Sequence, residues 1–479
     1  MNHSIIRYIM CRVLEFQAAF LALPCLVALY YREKAGFSYL IVAAVCLFVA
    51  LIGKRKKPEN NVFYAREGFV TVSLCWIVLS ITGAIPFVMS GEIPSFTDAL
   101  FETISGLTTT GSSILTDVEA LSHCNLFWRS FTHWIGGMGV LVLVLAILPL
   151  AGAYNMYLMR AESPGPSVGK LVPRVRHTAR ILYGIYIVMT LILMVLLLCT
   201  GMNLFEASTH AFGTAGTGGF GVLNTSLGSY PIVAQAIITI FMILFGINFG
   251  VYHLFLDRKP KEAFLHEEMR YYLIIIAAAV ILITWDVREM FGSLFEAFHH
   301  AAFQVGSIIT TTGFATTDFN LWPGFSKTIL VLLMFVGACA GSTGGGIKVS
   351  RIVILLKLVK NEISHLIHPK RVKHIYFEKH IVSKEVTRGI QVFLISYLLI
   401  FAGSVMLISL CELDLVTNFT AVAATLNNIG PGLELVGPTG NFSIFPAPAK
   451  WVLMFDMLAG RLEIFPMLVL LSPSTWKRG

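Results

Sequence analysis

Threonine and glycine form short polar tetrads inside this otherwise apolar 479-residue chain. Residues 308–319 read IITTTGFATTDF, and the same TTTG occurs at 108–111. Threonine hydroxyls and backbone carbonyls are neutral oxygens, and rings of such oxygens can replace the hydration shell of a monovalent cation. These residue types indicate a strip that coordinates a cation.

The pattern around the tetrads occurs four times when the segments are aligned at one glycine. In the first two copies an acid–alanine pair, Asp98-Ala99 and Glu206-Ala207, occupies the same place, and His300-Ala301 stands there in the third. We call the aligned residues the reference glycines. The segments are 96–113, 204–221, 298–315 and 415–432, with the reference glycines Gly111, Gly219, Gly313 and Gly430.

Each copy predicts a helix that enters the membrane and stops. The part before the glycine is about fifteen residues long, whereas a spanning helix needs about 20. Non-helical backbone at membrane depth is tolerated only where it is buried in protein or lines a water-filled cavity. Glycine permits a positive φ that turns consecutive carbonyls toward one side, and each helix directs its negative C-terminal end at the ion. Four re-entrant pore loops around one axis would form such a cavity. The alternative is helix packing, since small residues are common where membrane helices touch; four alignable copies favour the pore loops.

Composition selects the integral-membrane class. Only 13% of residues are charged and 56% are hydrophobic, and the mean hydropathy is +0.76. These values predict a membrane protein whose spans are helices. Together with the four aligned segments, they predict an all-α fold of two leading helices followed by four repeats of helix, pore loop and helix around a central pore. The predicted spans number about ten: 13–31, 37–53, 68–90, 127–156, 180–201, 231–256, 271–290, 326–358, 389–411 and 448–472.

Basic residues predict the orientation. With a cytoplasmic N-terminus, the internal segments hold 28 of the 35 Lys and Arg residues, which is the positive-inside pattern. Both termini are then cytoplasmic, and the net charge of +8 requires no nucleic-acid partner. An apolar run follows Arg7 and Arg12, and we predict that it is a membrane helix that stays in the mature protein. The alternative is a signal peptide that is cleaved off. The eight cysteines lie mostly within apolar spans, so they indicate small apolar residues and not a disulfide framework.

A glycine-rich stretch interrupts the predicted span 326–358. Residues 337–348 read GACAGSTGGGIK, and glycine costs about 1 kcal/mol per helix position relative to alanine. The helix should therefore break near mid-membrane, in the ion's path if it lies below the strips. In the last span, Arg461 and Glu463 of AGRLEIFP would need a polar surrounding or a partner at that depth. The alternatives are a packing kink for the stretch and a structural Arg–Glu or Arg–carbonyl contact for Arg461.

Three further motif matches carry less weight. The run 216–221 satisfies GxGxxG, but a helical segment precedes it where a dinucleotide site needs a strand. GSTGGGIK lacks the lysine directly after the second glycine that a phosphate-binding loop requires. The segment 357–388 contains four histidines, but its spacing favours a basic surface helix over a metal site. We expect no enzyme activity and no cofactor in this chain.

The motifs together resemble the Trk/Ktr/HKT superfamily of potassium uptake proteins, most closely its bacterial TrkH/TrkG branch. The resemblance covers nearly the whole chain and rests on TTTGSS, GTGGFG, TTTGFATTDF, GSTGGGIKVSRI, NNIGPGLE and MLAGRLEIFP. It implies that four strips form a potassium filter and that potassium is the transported ion, because glycine at all four reference positions accompanies potassium preference. The strips would be Thr109-Thr110-Gly111-Ser112, Thr217-Gly218-Gly219-Phe220, Thr311-Thr312-Gly313-Phe314 and Asn428-Ile429-Gly430-Pro431. The fourth departs most from the threonine pattern, so a symmetric cage is not assumed.

The resemblance also implies a gate and partners. An intramembrane loop that blocks the pore would consist of Gly341, Ser342, Thr343, Gly344, Gly345 and Gly346, contacted by Arg461 near the ion pathway. The family is homodimeric, lies in the bacterial cytoplasmic (inner) membrane, and is regulated by a separate cytosolic TrkA-like ring that binds nucleotides. The predicted units are 1–67 (leading helices), 68–165, 166–260, 261–385 and 386–479 (four repeats).

Three other functions remain open at this stage. A proton- or sodium-coupled symporter would need a titratable site, for which Glu463 and Asp456 are the candidates within spans. A sodium-selective channel would differ in ion ranking alone. A membrane enzyme that uses a dinucleotide would require the GxGxxG run to bind its cofactor.

Overall fold

The computed structural model describes residues 1–56, 64–139, 175–370 and 374–477. These residues are mostly helical, with one short β-hairpin among them, so the all-α prediction is confirmed. Six described helices are long and apolar enough to cross a membrane, or seven if one bent pair is counted as a span. The predicted boundary between repeats 1 and 2 at 165/166, the part of span 127–156 beyond 139, and residues 371–373 of the histidine-rich segment lie outside the described ranges.

Two helices precede the first repeat and pack closely on each other. They are α1 (His3–Tyr31) and α2 (Gly36–Lys54). In the turn between them, the Glu33 carboxylate accepts the backbone N–H groups of His123 and Cys124 at 2.8 and 2.9 Å. These are the first N–H groups of helix α5 (His123–Gly137), which have no partner within the helix. Glu33 thereby attaches the leading pair to repeat 1.

The rest of the chain alternates long and short helices. Repeat 1 has α3 (Ala65–Ser90), α4 (Phe96–Leu107) and α5. Repeat 2 has α6 (Val175–Cys199), α7 (Leu204–Gly216), α8 (Ile232–Phe245) and α9 (Phe249–Leu256). Repeat 3 has α10 (Pro260–Phe264), α11 (Glu267–Val287), α12 (Leu294–Ile309), α13 (Gly324–Val336) and α14 (Val349–Ile367). After the hairpin of β1 (Tyr376–Phe377) and β2 (His380–Ile381), repeat 4 has α15 (Lys384–Ile408), α16 (Leu415–Asn427), α17 (Ala447–Arg461), α18 (Phe465–Leu471) and α19 (Pro473–Trp476).

The four short helices α4, α7, α12 and α16 begin in the same way. In each, a polar side chain before the first turn accepts the N–H of the third helical residue, which satisfies a donor that the helix leaves unpaired. These N-cap residues are Ser95, Asn203, Ser293 and Asp414. The helices contain 12, 13, 16 and 13 residues. At about 1.5 Å per residue they are too short for a hydrocarbon core of about 30 Å.

The second long helices of repeats 2, 3 and 4 are interrupted, which only partly agrees with the sequence analysis. Span 326–358 has the predicted break, between α13 and α14. Spans 231–256 and 448–472 were predicted as continuous, and this was wrong. Helices α8 and α9 meet at an angle of 88°, and the turn between α17 and α18 contains Glu463 and Ile464 at φ 59° and 68°. In repeat 1, α5 ends at Gly137, and Gly139 follows at φ 75°.

Side-chain burial separates an interior from an apolar outer surface. Buried residues from most of the helices form one continuous core. Large apolar side chains on α2, α6, α11 and α15, such as Phe48, Val195, Ile281 and Leu399, are exposed. A band of this kind is expected where helices face lipid.

Candidate functional site

The four strips after the short helices share one backbone conformation. The first residue of each strip is left-handed: Thr109, Thr217, Thr311 and Asn428 have φ of 56°, 54°, 58° and 56°. Two residues later the reference glycines Gly111, Gly219, Gly313 and Gly430 have φ of 82°, 78°, 87° and 102°. A left-handed residue with a Cβ costs about 1–2 kcal/mol, so its occurrence at the same place in all four strips indicates a conformation imposed by the fold.

Each strip is fixed to its own short helix by the same hydrogen bond. The N–H of the second strip residue donates to a helix carbonyl five residues earlier. The four bonds are Thr110 N to Ser105 O (2.8 Å), Gly218 N to Gly213 O (2.8 Å), Thr312 N to Ser307 O (2.8 Å) and Ile429 N to Ala424 O (2.9 Å). The strips therefore follow their helices at one common angle.

The reference glycines show that the strips form a closed ring. A Cβ on Gly111 would collide with the carbonyl oxygen of Gly218 in the second strip. In the same way, Gly219 faces Thr312 O, Gly313 faces Ile429 O, and Gly430 faces Thr110 O. Each of these carbonyls belongs to the residue before the next reference glycine, so the order is 1-2-3-4 and returns to 1. Four reference glycines and four carbonyl groups thus alternate around one axis.

The ring is open on one side and buried on the side of the glycine-rich stretch 337–348; these are called the outer and inner sides after the orientation predicted from the basic residues. A cavity on the outer side is lined by all four reference glycines together with Ser112, Phe220 and Pro431. At the inner side, the Thr109 hydroxyl is buried and has no hydrogen-bond partner among the described residues. A buried hydroxyl without a protein partner is unusual and suits an oxygen that contacts a permeating ion.

The fourth strip is attached to the first by side chains. The Ser112 hydroxyl donates to the Gly430 carbonyl at 2.9 Å. Asn428 donates from Nδ2 to the Thr110 hydroxyl and to the Met457 carbonyl, both at 2.9 Å. These bonds have no counterpart between the other strips described, which agrees with the expectation that the ring is not strictly symmetric.

A buried ion pair lies behind the first two strips and was missed by the sequence analysis. Arg129 Nε is 2.8 Å from Glu102 Oε1, and the two side chains are 2% and 0% exposed. Glu102 also accepts the Ile114 N–H at 3.0 Å, while Arg129 donates to the Gly221 carbonyl at 3.3 Å. The pair thereby joins the outer ends of strips 1 and 2. The available signal was an arginine within an apolar span, which calls for a partner.

The glycine-rich stretch lies directly beneath the ring. The Gly345 N–H donates to the Thr311 hydroxyl at 2.6 Å, and the Gly346 N–H donates to the Asn427 carbonyl at 3.1 Å. Gly341 O accepts the Phe249 N–H at 3.0 Å, which attaches the stretch to the break in repeat 2. Residues 337–348 are therefore a folded loop against the inner end of the strips; they are not a bend in a continuous helix.

Arg461 connects that loop to repeat 1. Its guanidinium donates to the Thr343 carbonyl at 2.9 Å, to the Gly137 carbonyl at 2.8 Å, and to the Gly136 carbonyl. Glu463 pairs with Arg351 on α14. Arg461 therefore makes the Arg–carbonyl contacts that the sequence analysis considered, and these contacts include the loop.

Two more side chains hold the loop from within repeat 3. Glu268 on α11 is 2% exposed, and its Oε1 accepts the N–H groups of Ala340 and Ser350 at 2.8 and 3.0 Å. Lys348, 3% exposed at φ 83°, donates from Nζ to the Gly344 carbonyl. The carboxylate thus bridges the two ends of the loop, and the ammonium group satisfies a carbonyl inside it.

The GxGxxG match considered above and three acidic residues now have positions. The run 216–221 follows helix α7 and contains the second strip, which does not fit a dinucleotide site. At the outer mouth, Asp117 and Glu119 accept from Asn224 of repeat 2 at 2.8 and 2.9 Å. The Glu434 carbonyl accepts from Asn320 of repeat 3 at 3.0 Å. These polar groups join loops of adjacent repeats.

Comparisons with known proteins show the family of this chain. The TrkH family model, described as cation transport protein, matches residues 37–478. The chain is 38% identical over 464 residues to the Trk system potassium uptake protein TrkH of Escherichia coli K12, covering 95% of both chains. It is 33% identical over 488 residues to TrkG of the same organism, covering 100% of both.

Among solved structures, the potassium transporter TrkH from Vibrio parahaemolyticus superposes with a TM-score of 0.89 at 34% identity over 100% of both chains. The predicted resemblance and the predicted all-α membrane fold are thereby confirmed. Family match, sequence identity and fold lead to one conclusion: this chain belongs to the TrkH family of cation transport proteins.

Proposed function

We propose that this chain takes up potassium across the membrane through the ring of four strips. The observation that carries the proposal is the cyclic contact of each reference glycine with a carbonyl of the next strip. Backbone carbonyls around one axis can replace the hydration shell of potassium. The names of the relatives TrkH and TrkG, which are potassium uptake proteins, support the same ion.

Potassium preference is proposed to depend on the size of the ring. Glycine lets two strips approach so closely that a Cβ at any reference position would meet a carbonyl oxygen. A side chain there would push carbonyls apart or rotate them away from the ion. The strip residues proposed as ion ligands are those of the four tetrads named above.

The loop of residues 341–346 is proposed as the gate. Its contact with Thr311 at the inner end of the ring supports a blocking position. Arg461, which contacts both the loop and repeat 1, would hold the loop there and repel cations in the pathway. Glu268 would act from the other side as the anchor of both loop ends.

Orientation and partners complete the proposal. Basic segments face the cytoplasm of a bacterium, with both termini on that side of the inner membrane. The chain forms a homodimer with one pore per subunit. A cytosolic TrkA-like ring that binds nucleotides docks on the basic face and regulates the gate. The hairpin offers a route to the loop, because Glu378 accepts the N–H of Glu268 at 3.0 Å.

The test is rubidium-86 uptake into potassium-loaded liposomes that contain only this chain, with sodium-22 in parallel. We expect rubidium uptake well above sodium uptake. In Gly313→Ser the ratio should fall about tenfold, the factor that corresponds to about 1.4 kcal/mol of lost ion binding.

Gly91→Ser is the matched control. Gly91 has φ 78°, close to the 87° of Gly313, but a Cβ there meets no atom within 4 Å. It therefore imposes the same backbone strain and should leave the ratio unchanged. Equal uptake of both ions by the parent chain, or an equal effect of the two substitutions, contradicts the proposal. Uptake that requires a proton gradient would favour the symporter, with Asp456 and Glu463 as the groups to test.

A further inference from the structure

The second strip lacks two threonines that support the first and third. Thr108, the residue before strip 1, has its hydroxyl 2.8 Å from that of Thr110. In the same way Thr310, the residue before strip 3, has its hydroxyl 2.7 Å from that of Thr312. These pairs are buried behind the strip backbone. The matching positions of strip 2 are Gly216 and Gly218, so an equivalent pair cannot form there.

An imidazole occupies the space of the missing pair. A Cβ on Gly218 would collide with the ring of His133 on α5, and a Cβ on Gly216 would collide with the His133 carbonyl. His133 is fully buried. The change from threonine to glycine in strip 2 therefore has a steric cause in a helix of repeat 1.

The hydrogen bonds of His133 determine its protonation. Its Nε2 lies 3.2 Å from the Phe220 N–H, which can only donate, so Nε2 carries no proton. Its Nδ1 lies 2.8 Å from the Gly106 carbonyl, which can only accept, so Nδ1 carries the proton. The ring is thus a neutral imidazole that connects the short helix of repeat 1 to the last residue of strip 2.

Phe220 is held from two directions. Its ring lies 4.3 Å from the His133 ring, and the Arg129 guanidinium lies 4.1 Å from its centroid. Arg129 and His133 are four residues apart on α5, so they project from one helix face. That face supports the outer half of strip 2 without contributing an oxygen to the ring.

We infer that His133 is a positioning residue that sets the ion ranking of the second strip in place of the threonine pair. This inference rests on the proposed function and deepens it. Loss of the imidazole frees the Phe220 N–H and opens space behind Gly218, so the carbonyls of Gly218 and Gly219 can rotate away from the axis. Its removal should lower discrimination more than it lowers total flux.

The experiment compares rubidium-86 and sodium-22 uptake by liposomes that contain the full chain. His133→Leu retains bulk and removes both hydrogen bonds, and the rubidium-to-sodium ratio should fall about tenfold, as expected when a buried donor loses its partner. His133→Gln keeps an acceptor near the position of Nε2 and should retain most of the ratio. His299→Leu is the control, since His299 is also buried but bonds to Gln235, away from the strips.

A rescue variant distinguishes positioning from general stability. Replacing His133 by alanine and Gly218 by threonine places one threonine of the pair found at strips 1 and 3 in the space that the imidazole leaves, and it should recover part of the ratio lost in His133→Ala; Gly216 is kept, because its Cβ would meet the His133 backbone carbonyl. If His133→Leu does not fold, Gly218→Ala supplies the same test, because its Cβ displaces the imidazole. An unchanged ratio in His133→Leu or Gly218→Ala overturns the inference. Failure of the parent chain to discriminate would instead overturn the proposed function.

Discussion

At the scale of single residues, the first strip combines a positive φ angle with an unpartnered polar atom, which supports its proposed role in ion binding. Thr109 combines a left-handed backbone with a buried hydroxyl that has no partner among the described residues. Strain and unsatisfied polar atoms persist where the surrounding structure enforces them and often accompany function. Substitutions at the inner end of the strips should therefore change ion uptake more than they change folding.

Arg461 carries the first residue-scale prediction. In Arg461→Ala, rubidium uptake should rise about tenfold, because a positive charge near the pathway opposes cations by about 1.4 kcal/mol at an effective dielectric of about 20. The measurement is the initial rate in liposomes at equal protein content. Arg288→Ala serves as control, since Arg288 is exposed at the end of α11. Equal rates in parent and Arg461→Ala would mean that Arg461 is only a structural contact.

At the scale of elements, the interrupted helices explain how four repeats meet below the ring. The break of repeat 2 donates Phe249 N–H to Gly341 O, and the Gly246 carbonyl accepts the Cys339 N–H at 3.0 Å. Repeat 4 reaches the loop through Arg461. Broken backbone ends can satisfy each other only if the breaks lie at one depth. The breaks therefore form one polar layer within the apolar bundle.

The loop's anchor carries the element-scale prediction. In Glu268→Ala the N–H groups of Ala340 and Ser350 lose a charged acceptor, and such bonds contribute about 1.5–3 kcal/mol each. The loop should leave its position more often, so the uptake rate should rise about threefold or more, with the rubidium-to-sodium ratio unchanged.

Glu262→Ala is the matched control, because Glu262 is exposed on the adjacent short helix α10. Both variants are measured in the liposome assay with both isotopes. A fall in the rubidium-to-sodium ratio of Glu268→Ala would place Glu268 in support of the strips and not of the loop.

At the scale of the whole molecule, the asymmetric distribution of basic residues and the position of the strips predict which helix ends are accessible from outside the cell and which from the cytoplasm. Glu289 follows α11 on the predicted outer side, and its side chain is 85% exposed; Lys384 begins α15 on the predicted cytoplasmic side and is exposed. In a Cys199→Ser background, which removes an exposed native thiol, Glu289→Cys should react with an impermeant maleimide in spheroplasts. Lys384→Cys should react only after permeabilisation, and the reverse pattern would contradict the proposed orientation.

Much of this arrangement could be predicted from the sequence, because it depends on local patterns. Composition determined the membrane class, and the segment of about fifteen residues before each reference glycine determined a helix too short to span. The glycine-rich stretch 337–348 determined a break, since no helix tolerates so many glycines without cost. The strip residues follow from the same local alignment, in which glycine supplies the backbone angle that a Cβ would oppose.

Only the tertiary structure decided which groups meet. Three contacts show this: Gly111 with Gly218 O, Glu102 with Arg129, and His133 with Gly218. Each contact joins two segments, and no pattern within either segment predicts that they meet. The break at 246–248 carries a weak local signal, a single glycine, and the loop of repeat 3 supplies hydrogen-bond partners for Gly246 O and Phe249 N–H. The turn at 462–464 follows Arg461, whose side chain donates to Thr343 of the same loop. Sequence periodicity reports how one segment folds; the pairing of buried polar groups depends on neighbours from other helices of the chain, which the assembled bundle alone brings together.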